Sequence, residues 1–153
     1  MLASYVEVLR LLCDRLGEGV TWAVTGSVGM ALQGIPVEPH DIDLQTDAAG
    51  AYEIQRRLAE YSVQPVAFLA GERMRSHFGR LVIEGIQVEI MGDIEKRLSD
   101  GAWDPPPDLL AIIRHVVIAD RRIPVLDLAY EVEAYDKIGR HAQADRLRQW
   151  LAP

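Results

Sequence analysis

The chain has 153 residues, a formal charge of −7, 49% hydrophobic and 25% charged residues, and one cysteine, Cys13. Folding a chain of this size leaves roughly 7,700 Å² exposed out of about 25,000 Å² in the open chain, which is enough burial for one core. The composition excludes a disordered or fibrous chain, and a lone cysteine excludes an internal disulfide or a thiolate zinc cage.

Tyr5, Val8, Leu9, Leu12, Cys13 and Leu16 recur at helical spacing, with Gly17 and Gly19 as the stop. Trp22-Ala23-Val24-Thr25 reads as a short buried strand that ends at a Gly26-Ser27 turn. A helix is predicted over Val28–Leu32, and Gly34, Pro36 and Pro39 then make a rigid connector. Ile42 and Leu44 alternate with Asp41 and Asp43, so a strand here carries apolar residues on one face and both carboxylates on the other. Asp47 is the expected N-cap of a helix through Ala51, Ile54, Leu58 and Tyr61, followed by a strand at Val63–Phe68.

Glu84-Gly85, between Arg80–Ile83 and Ile86–Ile90, is the strongest hairpin signal in the chain. In its second arm Ile86, Val88 and Ile90 share one face, so Glu89 points to the other. Pro105-Pro106-Pro107 marks a loop, strands are expected at Ile112–Ile118 and Ile123–Leu126, and helices at Leu128–Ile138 and Ala142–Leu151 break near Gly139. The reading is α+β: a mixed sheet with helices packed on it and helices at the C-terminal end. We expect a single domain over 1–153, with a core at about 20–126 and a helical segment at 127–153.

The most apolar stretches, such as Leu109–Ile118 with Arg114 and His115 in its middle, fall short of the roughly 20 residues of a bilayer span. The first residues lack the basic start and apolar run of a signal peptide, so the expectation is a cytoplasmic protein without a membrane partner. An acidic surface also argues against general DNA binding, which depends on cations replacing phosphate counterions. It leaves room for nucleotide bound through metal ions.

Three features combine into a chemical reading. Asp41 and Asp43 share a side of a strand where loops begin, and Glu89 has the same outward alternation on a later strand. Three carboxylates close together repel unless cations neutralise them. Gly26-Ser27 precedes a helix start, where free backbone N–H groups favour phosphate. Each part alone has a bland explanation: a common turn, a solvated strand edge, the polar face of a hairpin. Their order along one chain is much more specific.

Val24-Thr25-Gly26-Ser27-Val28-Gly29-Met30-Ala31-Leu32, then Asp41-Ile42-Asp43-Leu44 with 13 residues between Ser27 and Asp41, then Val88-Glu89-Ile90, resembles the nucleotidyltransferase superfamily related to DNA polymerase β. The long connector is similar to those of the lincosamide and aminoglycoside nucleotidyltransferases and the nucleotidyltransferase toxins. The resemblance covers about residues 20 to 95 and extends more weakly to the tail around Lys137. It implies that Gly26 and Ser27 hold a triphosphate and that Asp41, Asp43 and Glu89 coordinate two Mg²⁺. Glu89 would also help deprotonate an acceptor hydroxyl, and Lys137 would approach the triphosphate. The implied reaction is attack on the α-phosphorus of a nucleoside triphosphate such as ATP, with pyrophosphate leaving. The acceptor is open among a small molecule, RNA and protein. Relatives often carry Arg or Lys after the connector glycine, where this chain has Ile35-Pro36, and Asp where it has Glu89. A non-catalytic nucleotide- or partner-binding module that keeps the fold is the competing expectation.

Arg73, Arg75, His77 and Arg80 form a basic cluster that reads either as an anion contact or as a solvated loop. Trp103 reads as a loop anchor, His40 as a loop residue beside the acids, and Leu128, Val132, Tyr135 and Ile138 as a core stripe. Lys137 and Arg140, three apart, are expected on one helical face.

Overall fold

A computed structural model describes residues 3–151. Its elements run α1 (Ala3–Leu16), β1 (Trp22–Thr25), α2 (Gly26–Leu32), β2 (Ile42–Thr46) and α3 (Ala48–Arg57), then a 3₁₀ turn at Ala59–Tyr61. They continue through β3 (Ser62–Ala70), β4 (Met74–Ile83), β5 (Ile86–Arg97), β6 (Trp103–Asp104) and α4 (Leu109–Ile112). The last are β7 (Ile113–Ile118), β8 (Arg121–Leu126), α5 (Leu128–Lys137) and α6 (His141–Arg148). The strands form one mixed sheet in the order β3-β4-β5-β2-β1-β8-β7, with β6 paired to β5. β1 is antiparallel to β2 and parallel to β8, and β2 is parallel to β5.

The alternation in β2 and β5 sorts the sheet into two faces. Ile42, Leu44, Val88 and Ile90 are fully buried and share one core with Val8, Leu9, Leu12 and Leu16 of α1 and Ala51 and Ile54 of α3. Asp47 caps α3 as expected, its carboxylate accepting from the Gly50 N–H at 2.6 Å. The opposite face carries Thr25, Asp43, Gln45 and Glu89 and receives α5. A second, smaller core of Met30, Ile35, Val132, Ala144 and Leu147 joins α2 and the connector to α5 and α6.

Several expectations need correction. Gly26 and Ser27 are the first residues of α2 and not a turn ahead of it. Gly26 has φ +67°, so a single residue turns the chain from strand to helix, a conformation that costs glycine little. The hairpin is confirmed at Glu84-Gly85, both with positive φ, but its arms extend to Met74 and Arg97. The basic stretch is therefore mostly strand, not a solvated loop. Its pattern is masked because both faces of β4 carry polar residues. Ile112 closes a helical turn and the strand begins at Ile113. α5 stops at Lys137 and Gly139 has φ +80°, so Lys137 and Arg140 do not share a helical face.

Asp93, with φ +49°, lies where β5 spends an extra residue against β4: His77 pairs with Gly92 and Arg75 with Glu95. This bulge reverses the alternation. Gly92 faces α3, yet Lys96, four residues on, faces α5 and bonds the Tyr130 hydroxyl at 2.9 Å.

A Cβ added at Gly92 would stand 2.7 Å from both the Ala51 Cβ and the Asp47 carbonyl oxygen, so this glycine sets how closely α3 packs on the sheet. Gly92→Ala is expected to lower stability by about 1–3 kcal/mol, as overpacking does. Denaturant unfolding that leaves the midpoint unchanged would refute this close contact.

Candidate active site

Strand register builds the site. Thr25 pairs with Asp43 across β1 and β2, Asp43 with Glu89 across β2 and β5, and Glu89 with Arg80 across β5 and β4. Laterally paired residues project to the same face about 5 Å apart, so Arg80, Glu89, Asp43 and Thr25 form one row across four strands. Asp41 precedes β2 by one residue and lies on the Asp43 side.

The row concentrates negative charge. Burial, with Glu89, Asp41 and Glu131 as neighbours, pushes the Asp43 carboxyl up to about 7. The other acids have partners: Asp41 Oδ2 accepts from Gln87 Nε2 at 2.9 Å, and Glu89 Oε2 lies 3.7 Å from the Arg80 guanidinium. Among the described residues, no three His, Cys, Asp or Glu side chains already stand around a common metal position. The donor set nevertheless fits a hard divalent cation. It is all oxygen, and the repulsion that raises Asp43 is what such a cation relieves.

Gly26 completes the corner. A methyl group there would overlap the Asp43 carboxylate, so the missing side chain is what admits Asp43 to this position. Ser27 Oγ accepts from the His40 backbone N–H at 3.0 Å, which ties the end of the connector to the start of α2. His40 thus contributes its backbone, and the Ser27 hydroxyl proton is free to be donated.

Lys137 is engaged in an ion pair. Its ammonium bonds Asp104 Oδ2 at 2.8 Å, and it lines a cleft of about 620 Å³ with Arg73, Arg97 and His141. The basic cluster is dispersed. Arg75 pairs with Glu95 and stacks on Trp103 at 4.3 Å, His77 bonds the Tyr52 hydroxyl, Arg80 serves Glu89, and Arg73 donates to the Ile138 carbonyl. The structure therefore brings Gly26, Asp43 and Glu89 together, with Asp41 and Ser27 beside them, and holds Lys137 on β6.

Glu131 was not anticipated. It is 7% exposed, and its carboxylate accepts from the Thr25 hydroxyl. Burial raises it to about 7 against the opposing pull of Thr25, Lys96 and the Gly26 N–H. Its position could have revealed it: Leu128, Glu131 and Tyr135 fall at i, i+3 and i+7 of α5, which puts a carboxylate on the apolar stripe.

Comparison with known proteins agrees with this fold. Residues 7–150 match the family model for aminoglycoside-2''-adenylyltransferase. A candidate nucleotidyltransferase from Thermotoga maritima is 53% identical over 98% of this chain and 94% of its own, with a TM-score of 0.87. The lincosamide antibiotic adenylyltransferase LnuA, in its lincomycin-bound form, shares the fold at 17% identity and TM-score 0.61, over 97% of this chain and 96% of its own. ANT(2")-Ia in complex with adenylyl-2"-tobramycin shares it at 14% identity and TM-score 0.56, over 95% and 87%. No curated protein sequence matches. The carboxylate row on a nucleotidyltransferase fold and the match over nearly the whole chain lead to one conclusion: this chain belongs to the aminoglycoside-2''-adenylyltransferase family.

Proposed function

We propose that this transferase moves a nucleoside monophosphate, most simply from ATP, to a hydroxyl of a small-molecule acceptor, releasing pyrophosphate. One observation carries the reading: the in-register row of Asp43 and Glu89, with Asp41 beside it and Gly26 opening the space Asp43 occupies. The solved relatives with bound lincomycin and adenylyl-tobramycin support a small-molecule acceptor.

In this reading Asp41, Asp43 and Glu89 would hold two Mg²⁺, which supply charge neutralisation at the phosphates and polarisation of the α-phosphorus when bound. Asp43 must be ionised to act as a ligand, and its neighbours oppose that until positive charge arrives. Gly26, by lacking a side chain, and Ser27, by its backbone N–H and hydroxyl, would hold the β- and γ-phosphates. Glu89 sits at the end of the acid row and would receive the acceptor's proton, with the Arg80 guanidinium balancing its charge. Catalysis then consists largely of positioning and electrostatics. Lys137 contributes to the triphosphate only when its ion pair with Asp104 opens. Every other polar group in this scheme lies within residues 26–89.

Calorimetric titration with MgATP tests the site. Asp43→Asn and Asp41→Asn are expected to abolish binding, and Gly26→Ala to do the same with all acids intact. Ser27→Ala, which removes one charge-assisted hydrogen bond, should weaken binding by roughly ten- to a hundred-fold. Retention of wild-type affinity by both Gly26→Ala and Asp43→Asn would exclude this site.

The raised carboxyls make a second prediction. Asp43 and Glu131 titrate near 4 when unfolded and near 7 when folded, so the folded state binds the extra protons between those values. Stability from this source is complete below about pH 4 and is lost as pH rises through about 7. Without divalent cations, Asp43→Asn should therefore show a flatter dependence of Tm on pH between about 5 and 8, with a Tm at about pH 8 no lower than wild type. A steeper dependence in the variant would contradict the repulsion.

A further inference from the structure

Thr25 ends β1 and stands at the N-cap position of α2, where a threonine hydroxyl ordinarily accepts from the first helical N–H groups. It makes no such bond. Its hydroxyl instead donates to Glu131 on α5, 106 residues further along the chain, and the Gly26 N–H also faces that carboxylate. Both groups in the contact are buried, Thr25 at 5% and Glu131 at 7% exposure.

A buried carboxylate needs compensation. Part of it comes from Lys96, itself 6% exposed, whose ammonium bonds the hydroxyl of Tyr130, the residue before Glu131. The Asp93 bulge turns Lys96 to this face. Glu131 is thus supported from β5 and in turn holds the corner between β1 and α2. Asp43 lies against the same corner, paired in register with Thr25 and filling the space a Gly26 side chain would take.

We propose that Glu131 is a positioning residue. By gripping Thr25 and Gly26 it fixes the corner against which the Asp43 carboxylate rests, so that α5 sets the geometry of the nucleotide site without touching the nucleotide. The proposal rests on the reading of Asp43 and Gly26 given above. A group that merely anchored α5 to the sheet would alter stability but not the affinity of the folded protein.

The test uses the full chain with Thr25→Val, Thr25→Ser, Glu131→Ala, the double variant Thr25→Val/Glu131→Ala, and Glu133→Ala as an exposed control on the same helix. MgATP affinity is measured by calorimetry below the Tm of each variant, and Gly26 amide exchange is measured without ligand. Thr25→Val and Glu131→Ala are expected to weaken MgATP by about ten-fold or more and to speed Gly26 exchange by a similar factor. Thr25→Ser, which restores the hydroxyl, should restore both quantities, and Glu133→Ala should change neither. The double variant should be no weaker than the more affected single variant, since both remove one contact.

Wild-type affinity and exchange in Thr25→Val would overturn the proposal, as would fully additive losses in the double variant. Should Glu131→Ala not fold, the Thr25→Val and Thr25→Ser pair decides. If wild type itself does not bind MgATP, the nucleotide reading falls. The exchange data then decide the grip alone: faster exchange in Thr25→Val upholds it and unchanged exchange removes it.

Discussion

Carboxylates held on one face of a sheet, partly out of water, are the constraint on which the rest of this molecule turns. Asp43 is flanked by Glu89 on the next strand, Asp41 two residues earlier and Glu131 from the helix above. Like charges at strand spacing in a desolvated place are costly, and the protein offsets that cost in three ways. Arg80 pairs with Glu89, Gln87 bonds Asp41, and Asp43 and Glu131 have their proton affinity raised toward neutrality. Such an arrangement weakens a protein that has no cation to bind and favours one that does.

The apolar face makes this possible. Ile42, Leu44, Val88 and Ile90 are fully buried beneath α1 and α3, and because a strand alternates, the residues between them must face the other way. Burying one set places the acids of the other. The opposite side has two coverings of different character. Where α5 and α6 meet α2 and the connector, Met30, Ile35, Val132 and Leu147 form an ordinary small core. Where α5 crosses the strands, the contacts are polar: Thr25 with Glu131 and Lys96 with Tyr130. Hydrogen bonds there are directional, so they specify where the helix sits more narrowly than apolar packing would.

The basic stretch from Arg73 to Arg80 shows how a compositional cluster can dissolve in three dimensions. Arg73 precedes β4, Arg75 and His77 share one face of it and Arg80 takes the other, and each finds a different partner: an acid of the candidate site, a tyrosine hydroxyl, a glutamate with a tryptophan ring, a helix-end carbonyl. Arg80 alone among them reaches the acid row. The Trp103 ring, with Arg75 and Arg97 over it, acts as an anchor for the end of the hairpin.

Much of the geometry of the candidate site was legible in the sequence because it is encoded locally. Alternation of Ile42 and Leu44 with Asp41 and Asp43, and of Val88 and Ile90 with Glu89, follows from a two-residue period within single strands, and the Glu84-Gly85 turn sets its own hairpin. The extension of β5 was not legible. A bulge at Asp93 inverts the alternation, and whether a residue bulges depends on the partner strand. The start of α2 at Gly26 and the ion pair of Lys137 with Asp104 likewise depend on neighbours distant in sequence. Glu131 is the clearest case. Its place on the apolar stripe of α5 was visible, but Thr25, Gly26 and Lys96 meet it only through contacts across the chain. Periodicity determines which face a residue takes, while the partners waiting on that face are set by how the elements pack.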